Sequence, residues 1–257
     1  MLVMLASSCA ASNPDRIVVA AGTTIVDAGL VDRLVDDYLD GGPDVDISVV
    51  GASTAEVLEL GARGSADLLI THQADLEEAF LAEHPSAAAD PVFTSTFLLV
   101  GPPAQQVVTV GSDMVDALGD IASAEATFIS RADGSGTFAK EQELWSLAVV
   151  EPAGSDWYVE TGQGMGFTLQ VADQRGGFTL TEEGAFLTSI AALSLEWIPV
   201  DAPPGLLDNP YRSIVVDPQT TPAATVFSRW LASPEGRAAL ERANAELYGA
   251  MVYRSLS

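Results

Sequence analysis

Strand and helix signals alternate along most of this chain, and no other feature restricts the fold as strongly. Three short apolar runs predict buried strands, at 16–20, 45–50 and 66–70. Three segments with helical periodicity follow them, at 27–39, 53–62 and 75–83. Helices between successive strands are typical of parallel βαβ units, so the sequence predicts an α/β fold.

Two breaks rich in glycine and proline divide this pattern. A longer predicted strand over 92–100 ends at Gly101-Pro102-Pro103, and a second α/β series then runs to Ala202-Pro203-Pro204-Gly205. We therefore expect two lobes joined by two crossing strands, with the ligand between them at the carboxyl ends of strands. The expected bounds are 1–15 for a tether, 16–97 and 205–257 for a discontinuous first lobe, and 98–204 for the second.

Charge excludes one class of partner. The chain has 36 acidic and 11 basic residues, for a formal net charge of −25. Nucleic-acid binding needs a basic stripe, and this composition offers none. The acidity is typical of a solvated surface. It repels a free anion at long range, but salt screens such fields beyond about 10 Å, so local donors can still bind one.

The first nine residues resemble the end of a bacterial lipoprotein signal. An apolar run and two small residues precede Cys9, which would be acylated, although Ala6 stands where a large aliphatic residue is usual. We expect the signal to begin upstream of Met1, with attachment to the membrane only through this lipid. A chance cysteine in a cytoplasmic N-terminus is the alternative. Cys9 is the only cysteine, which excludes an intrachain disulfide and a thiol-rich metal site.

Four predicted strand-to-helix junctions are rich in Gly, Ser and Thr. They are Gly22-Thr23-Thr24, Gly51-Ala52-Ser53-Thr54, the loop 131–137 and the loop 161–166. Helix N-termini carry unpaired N–H donors and a partial positive charge, so anions are favoured there. Any one of these loops alone reads as an ordinary helix cap. Four of them, two in each expected lobe and one with Arg131, indicate an anion site.

Two of these loops carry a family resemblance. Arg131 to Thr137 resembles the R-G-D-x-S-G-T signature of the tungstate-binding proteins of ABC transporters, with Ala132 in place of Gly. Trp157 to Gly166 is similar to W-Y-x-E-T-G-Q-G-M-G of the same family. Shorter agreements are Phe178-Thr179-Leu180-Thr181 with Gly184, Asn209-Pro210-Tyr211 and Ser233-Pro234-Glu235-Gly236. The resemblance runs from about residue 16 to about residue 240 and implies the two-lobed type II periplasmic binding protein fold.

The resemblance also implies a set of binding residues. The family's T-T-T-S run falls on Ala21, Gly22, Thr23 and Thr24, so two of its four hydroxyls are lost. In the first lobe, the residues that would line the cleft, called the first wall, are then Thr23, Thr24 and Thr54, with Ser53 a weaker candidate. The second wall is Arg131, Ser135, Gly136 and Thr137, with backbone N–H groups from Gly164 and Met165.

These residues offer donors only, which suits tungstate or molybdate, because both are fully ionised near neutral pH. Arg131 adds a charged fork of donors, or alternatively forms an ion pair with Asp133 that fixes the loop. The resemblance thus implies a monomeric, extracytoplasmic binding protein that delivers its ligand to an ABC permease, without cofactor, metal or catalysis. Phosphate binding ranks second, since phosphate-binding proteins have a similar R-S-D-G-S-G-T segment. An oxyanion sensor and an enzyme that holds a phosphorylated substrate remain as other classes.

Other motifs carry less chemistry. Gly162-x-Gly164-x-Gly166 lacks the last spacing of a dinucleotide loop and follows no clear predicted strand. His72 ends a strand near the cleft, but for it and His84 a structural role is expected. Glu160, Glu182 and Glu183 are expected to be exposed acids. Neither Ser53 nor Ser135 lies in a G-x-S-x-G elbow, so a hydrolase has little support.

Overall fold

The computed structural model describes residues 15–256. Cys9, and with it the predicted lipid attachment, lies outside the described residues. The strands are β1 Asp15–Gly22, β2 Val45–Ala52, β3 Leu68–Thr71, β4 Ala88–Gly101, β5 Phe128–Ser130, β6 Tyr158–Glu160, β7 Thr179–Glu182, β8 Glu196–Ile198, β9 Asp208–Val215 and β10 Arg254–Ser255. The helices are α1 Thr23–Asp27, α2 Leu30–Asp40, α3 Thr54–Ala62, α4 Ala74–Glu83, α5 Met114–Ser123, α6 Gly136–Leu147, α7 Met165–Arg175, α8 Glu183–Ser189, α9 Pro222–Leu231 and α10 Pro234–Leu247.

The larger sheet is mixed rather than parallel throughout. Its strand order is β10-β4-β9-β3-β1-β2, and β1 pairs in parallel with both β2 and β3. The predicted βαβ units are therefore present in this part of the chain. The returning strand β9 is antiparallel to β3 and β4, a direction that the alternation of strands and helices does not predict.

One strand, β4, belongs to both halves of the molecule. Residues 88–96 pair with β9, whereas residues 97–101 pair with β7 and β8. Strand β9 runs alongside as the second crossing connection and begins at Asp208, opposite Thr96. The change of partners in β4 thus lies several residues before the predicted break, which begins at Gly101, the last residue of the strand.

Hydrophobic clusters follow the same division. One cluster, around Ile17, Leu34 and Phe227, packs α2, α9 and α10 on one face of the larger sheet, and a second, around Val57 and Phe80, packs α3 and α4 on the other. The middle of the chain forms two further clusters, around Trp145 and around Leu169. Each half therefore buries helices on both faces of its strands, which is the layered arrangement of α/β domains.

Two local features differ from the sequence-based expectation. The helix predicted over 27–39 is present as α2, and a separate short helix, α1, precedes it and was not predicted. Gly29, whose φ of 76° lies in the left-handed region, separates the two helices. The loop 161–166 does follow a strand, because β6 pairs in parallel with β5. A strand of only three residues has too few positions to show alternation. Strand β7 and helix α8 were likewise not predicted.

Among residues 15–256, no helix is long and apolar enough to span a bilayer.

Candidate oxyanion site

The predicted binding residues lie where strands end and helices begin. Thr23 and Thr24 directly follow β1, and Thr54 follows β2 after one capping residue. Arg131 follows β5, and Gly164 precedes α7 in the loop after β6. Because β1 and β2 run in parallel, as do β5 and β6, each pair of loops emerges at one edge of its sheet.

Arg131 joins the two halves of this site. Its side chain is 1% exposed, and its guanidinium donates from Nη1 to Thr24 Oγ1 at 2.9 Å and from Nη2 to Thr23 Oγ1 at 3.3 Å. The donors of the second wall and the hydroxyls of the first wall therefore meet directly. These three predicted residues are brought together as expected.

Asp133 holds the same arginine from the other side. Its Oδ2 accepts from Arg131 Nη2 at 2.6 Å and from Nε at 3.1 Å, and its Oδ1 accepts from the Ser135 N–H at 3.1 Å. The ion pair of the alternative reading is thus present, and the same guanidinium also contacts the opposite wall. Because both Asp133 oxygens are engaged within the loop, this carboxylate is a positioning group.

Ser135 caps helix α6. Its Oγ accepts from the Phe138 N–H at 3.3 Å, which leaves the hydroxyl hydrogen available for donation. Gly136 and Thr137 are the first two residues of the helix, where N–H groups have no intrahelical acceptor. The beginning of α6 therefore presents several donors next to Arg131.

Two buried threonine hydroxyls, one in each wall, lack partners. Thr54 and Thr137 are each 1% exposed, and their Oγ1 atoms form no hydrogen bond with any of residues 15–256. An unpaired buried hydroxyl costs free energy, and such groups are uncommon in folded proteins. At a site for an anion, both are donors ready for a ligand oxygen.

The remaining predicted residues differ in how free they are. The Ser53 hydroxyl donates to Glu56 Oε2 at 2.9 Å in a capping box that starts α3, and this contact occupies its hydrogen. Gly164 is the N-cap of α7 without a side-chain cap, so the first N–H groups of that helix, including that of Met165, are left to other acceptors. The Met165 side chain itself is buried in a core cluster.

Thr161 connects the two loops of the second wall. Its Oγ1 lies 3.1 Å from the Ser130 carbonyl oxygen, 3.3 Å from that of Arg131 and 2.9 Å from Thr168 Oγ1. The threonine of the second family motif thus fixes the backbone at Arg131. Its role is positioning, and the position of the motif residue was the only sequence signal for it.

A buried polar network lies beside the site, where β4, β7 and β9 meet. Glu182 is 0% exposed, contrary to the expectation of an exposed acid, and accepts from Ser95 Oγ at 2.7 Å and from Tyr211 Oη at 2.6 Å. Its neighbour Glu183 is half-buried, and only Glu160 of the three acids is exposed. Asn209 continues the network to His72, whose Nδ1 lies 2.7 Å from Asn209 Oδ1. The strand β7 that carries Glu182 was not predicted, so neither was its burial.

A second buried carboxyl lies one turn beyond Thr137. Glu141 is 2% exposed and accepts from Tyr158 Oη at 2.5 Å. Burial raises its pKa from 4.5 to about 7, and the hydrogen bond from Tyr158 only partly opposes this shift. No group of three or more His, Cys, Asp or Glu residues suited to a metal ion occurs within residues 15–256.

Two α/β lobes, two crossing strands and walls of hydrogen-bond donors in the cleft define a periplasmic binding protein. A family model described as a PBP superfamily domain matches residues 8–235 of this chain. The tungstate-binding protein TupA of Peptoclostridium acidaminophilum is 32% identical over 273 aligned positions, covering 98% of this chain and 94% of that protein. The chain therefore belongs to the PBP superfamily and, within it, to the family of TupA.

Solved structures agree with this assignment. The tungstate-binding protein TupA from Desulfovibrio alaskensis G20 has a TM-score of 0.78 and 28% identity, with 95% of this chain and 99% of that chain covered. The tungstate ABC transporter protein from Geobacter sulfurreducens has a TM-score of 0.78 and 31% identity, covering 88% and 98%. These relatives are described as binding or transport proteins and not as enzymes, which agrees with the prediction of a non-catalytic protein.

Proposed function

We propose that this chain is the substrate-binding component of an ABC importer, which captures tungstate or molybdate outside the cytoplasm and delivers it to a membrane permease. The observation that supports this most strongly is the contact of Arg131 with Thr23 and Thr24 across the cleft, flanked by the unpaired hydroxyls of Thr54 and Thr137. Thr23 and Thr24 accept from Arg131 through their oxygens, so all four threonine hydroxyls still have a hydrogen to donate, as does Arg131 Nη1. A tetrahedral oxyanion without a proton offers only acceptors and so matches them.

The proposed ligand set has two walls that close on the anion. Thr23, Thr24 and Thr54 supply the first wall. The second consists of Arg131, Ser135, Gly136 and Thr137, with the N–H groups of Gly164 and Met165. Ser53 is the weakest member, because its hydroxyl is bound to Glu56.

A thermal-shift panel of oxyanions tests the proposal. Tungstate or molybdate at a hundredfold excess over its dissociation constant should stabilise the fold by about 2.7 kcal/mol, whereas ATP and NAD should have no effect. If only phosphate raised the melting temperature, the assignment of tungstate would be wrong. If no oxyanion raised it, the binding function itself would be wrong.

Phosphate is the second candidate and differs in one respect. Near neutral pH it carries a proton, which requires an acceptor in the site. Asp133 is the acid of the phosphate-like segment, but its oxygens accept from Arg131 and from the Ser135 N–H. Oδ1 accepts only the Ser135 N–H and keeps a free acceptor position, so the preference for the fully ionised anions rests on the similarity to tungstate-binding proteins.

Capture should proceed by closure of two lobes, 16–97 with 205–257 and 98–204, about the crossing strands β4 and β9. Small-angle scattering with and without tungstate measures the change in radius of gyration. A smaller radius with ligand is expected, and an unchanged radius would indicate a cleft that is closed before binding.

The protein is further proposed to act as a monomer that is anchored through a lipid on Cys9. Expressed in a bacterium with its natural upstream sequence, it should incorporate a labelled fatty acid, and Cys9→Ser should abolish the label. Firm attachment requires more than one acyl chain, since a single chain binds membranes only marginally. An unlabelled wild-type protein would contradict the anchor without affecting the proposed ligand.

A further inference from the structure

The network around Glu182 fixes the position of one hydrogen in the site. Ser95 Oγ and Tyr211 Oη both donate to Glu182. The oxygens of Ser95 and Tyr211 then accept from Asn209 Nδ2, each at 3.3 Å. Asn209 therefore directs its Oδ1 toward His72 Nδ1, which must carry the hydrogen of the 2.7 Å contact.

The remaining ring nitrogen, His72 Nε2, lies where the two walls meet. A Cβ atom built on Gly136 would lie 2.7 Å from Nε2 and 2.5 Å from Cε1 of His72. A Cβ atom built on Gly22 would lie 3.7 Å from Nε2. Gly22 immediately precedes Thr23, and Gly136 lies between Ser135 and Thr137. The Nε2 edge of the ring thus lies against Gly136 of the second wall and close to Gly22, the residue before the first wall.

We propose that His72 is a further oxyanion-binding residue, which takes up a proton when the anion is captured and then donates from Nε2–H. This inference rests on the proposed function. A neutral ring with its hydrogen on Nδ1 presents a lone pair at Nε2, which repels an anion that has only acceptor oxygens. The imidazolium form presents an N–H group instead and adds a second positive charge to that of Arg131.

The surroundings of the ring are consistent with uptake of a proton on binding. Burial lowers the pKa of His72, and the Arg131 guanidinium lowers it further, so the ring of the unliganded protein is neutral near pH 7. Glu182 on β7 and Glu77 on α4 act in the opposite direction, as does the contact with Asn209. A dianion in the cleft would add to these negative charges and raise the pKa.

Other polar groups face the ring from neighbouring elements. Tyr211 on β9 stacks on it with ring centroids 4.7 Å apart. His72 also lines a cavity of about 440 Å³. The charged residues that line the same cavity are Asp75 and Glu77 of α4, Lys140 and Glu143 of α6, and Asp208 and Arg212 of β9. Both basic residues of this cavity are already paired with acids, Lys140 with Glu143 at 2.7 Å and Arg212 with Glu77 at 3.5 Å. Neither of them therefore replaces His72 as a positive charge for the anion.

Calorimetric titration with tungstate measures the proton directly. In buffers of different ionisation enthalpy near pH 7.5, wild-type protein should take up about one proton per bound anion, and its affinity should fall by up to about tenfold per pH unit above neutrality. His72→Gln should bind without proton uptake and with little pH dependence. His84→Gln is the matched control, since these are the only two histidines, and it should behave as wild type.

A measurement on the wild-type protein covers the case in which His72→Gln does not fold. Imidazole nitrogen NMR has only two rings to resolve, and the His72 ring should change from neutral to protonated when tungstate is added. A ring that stays neutral in the complex, or proton uptake that persists in His72→Gln, would overturn the inference while leaving tungstate binding intact. Absence of tungstate binding by wild type would instead overturn the proposed function.

Discussion

Arg131 Nη1 donates to Thr24 Oγ1 at 2.9 Å, so a residue of one wall is bound to a residue of the other, 107 positions earlier in the chain. The same guanidinium is held by Asp133 at 2.6 Å. Arg131 is therefore both fixed in its own loop and extended across the cleft. For an incoming anion this means that the strongest donor is already oriented, which reduces the entropy lost on binding.

Replacement of Arg131 should weaken anion binding more than any single hydroxyl change. Loss of a charge-assisted donor costs about 1.5 to 3 kcal/mol, so Arg131→Ala should lower tungstate affinity by about tenfold to more than a hundredfold in calorimetry. Arg131→Lys should recover only part of this, because lysine lacks the planar fork. Arg63→Ala, at an exposed pair with Glu59, is the control. Near-wild-type affinity of Arg131→Ala, with a lowered melting temperature, would restrict Arg131 to a structural role.

The unpaired hydroxyls should behave differently from paired ones. Thr54→Val and Thr137→Val remove buried hydroxyls without partners, so the unliganded protein should be as stable as wild type or more stable in urea denaturation. Each should nevertheless weaken tungstate binding by roughly two- to tenfold, the value of one neutral hydrogen bond. Thr179→Val is the control, since its hydroxyl donates to the Ile129 carbonyl at 2.7 Å. That variant should lose stability and retain affinity, and the opposite pattern would argue against the two threonines as ligands.

Ala132 occupies a backbone conformation that favours glycine. Its φ is 47°, and the family signature has Gly at this position. A left-handed conformation costs a non-glycine residue about 1 to 2 kcal/mol, whereas glycine adds about 0.5 to 1 kcal/mol of unfolded-state entropy. Ala132→Gly should therefore stabilise the fold by up to about 1 kcal/mol in urea denaturation. Ala148→Gly, where φ is −73°, should destabilise it, and equal effects of the two variants would contradict the argument from strain.

Glu141 should make stability depend on pH. Its folded-state pKa of about 7 lies above the reference value of 4.5, so the folded protein binds the proton more tightly. The stabilisation is fully present below about pH 4.5 and is lost as the pH rises through about 7, with a total on the order of 3 kcal/mol. Glu141→Gln should flatten the unfolding free energy in this window relative to wild type. Glu78→Gln, an exposed glutamate of α4, is the matched control and should leave the profile unchanged.

Several parts of the fold were predictable because they depend on local pattern. The strands β1 and β2 and the helices α3 and α4 follow from apolar periodicity, and the start of α3 follows from its cap Ser53. Four loops with Gly, Ser and Thr likewise identified most of the donors. Strand β3 is equally short but was predicted because it begins with a continuous apolar run, whereas β6 and β7 mix polar and apolar residues and were missed.

The buried network around Glu182 was missed for a different reason. Glu182 and His72 gain their roles from partners that are far away in sequence, such as Ser95 at 87 positions and Asn209 at 137 positions. An acid in a chain with 36 acidic residues gives no local sign of burial. The orientation of Asn209, and through it the hydrogen on His72, depends on the whole network and not on any motif.

Strand β4 has a consequence for how the molecule unfolds. Its first nine residues complete one sheet and its last five the other, without an intervening linker. Loss of either lobe would expose the backbone donors and acceptors of a strand on which the other lobe depends. Calorimetric melting should accordingly show one cooperative transition, and the excision of either lobe as a separate fragment would leave an open, aggregation-prone edge.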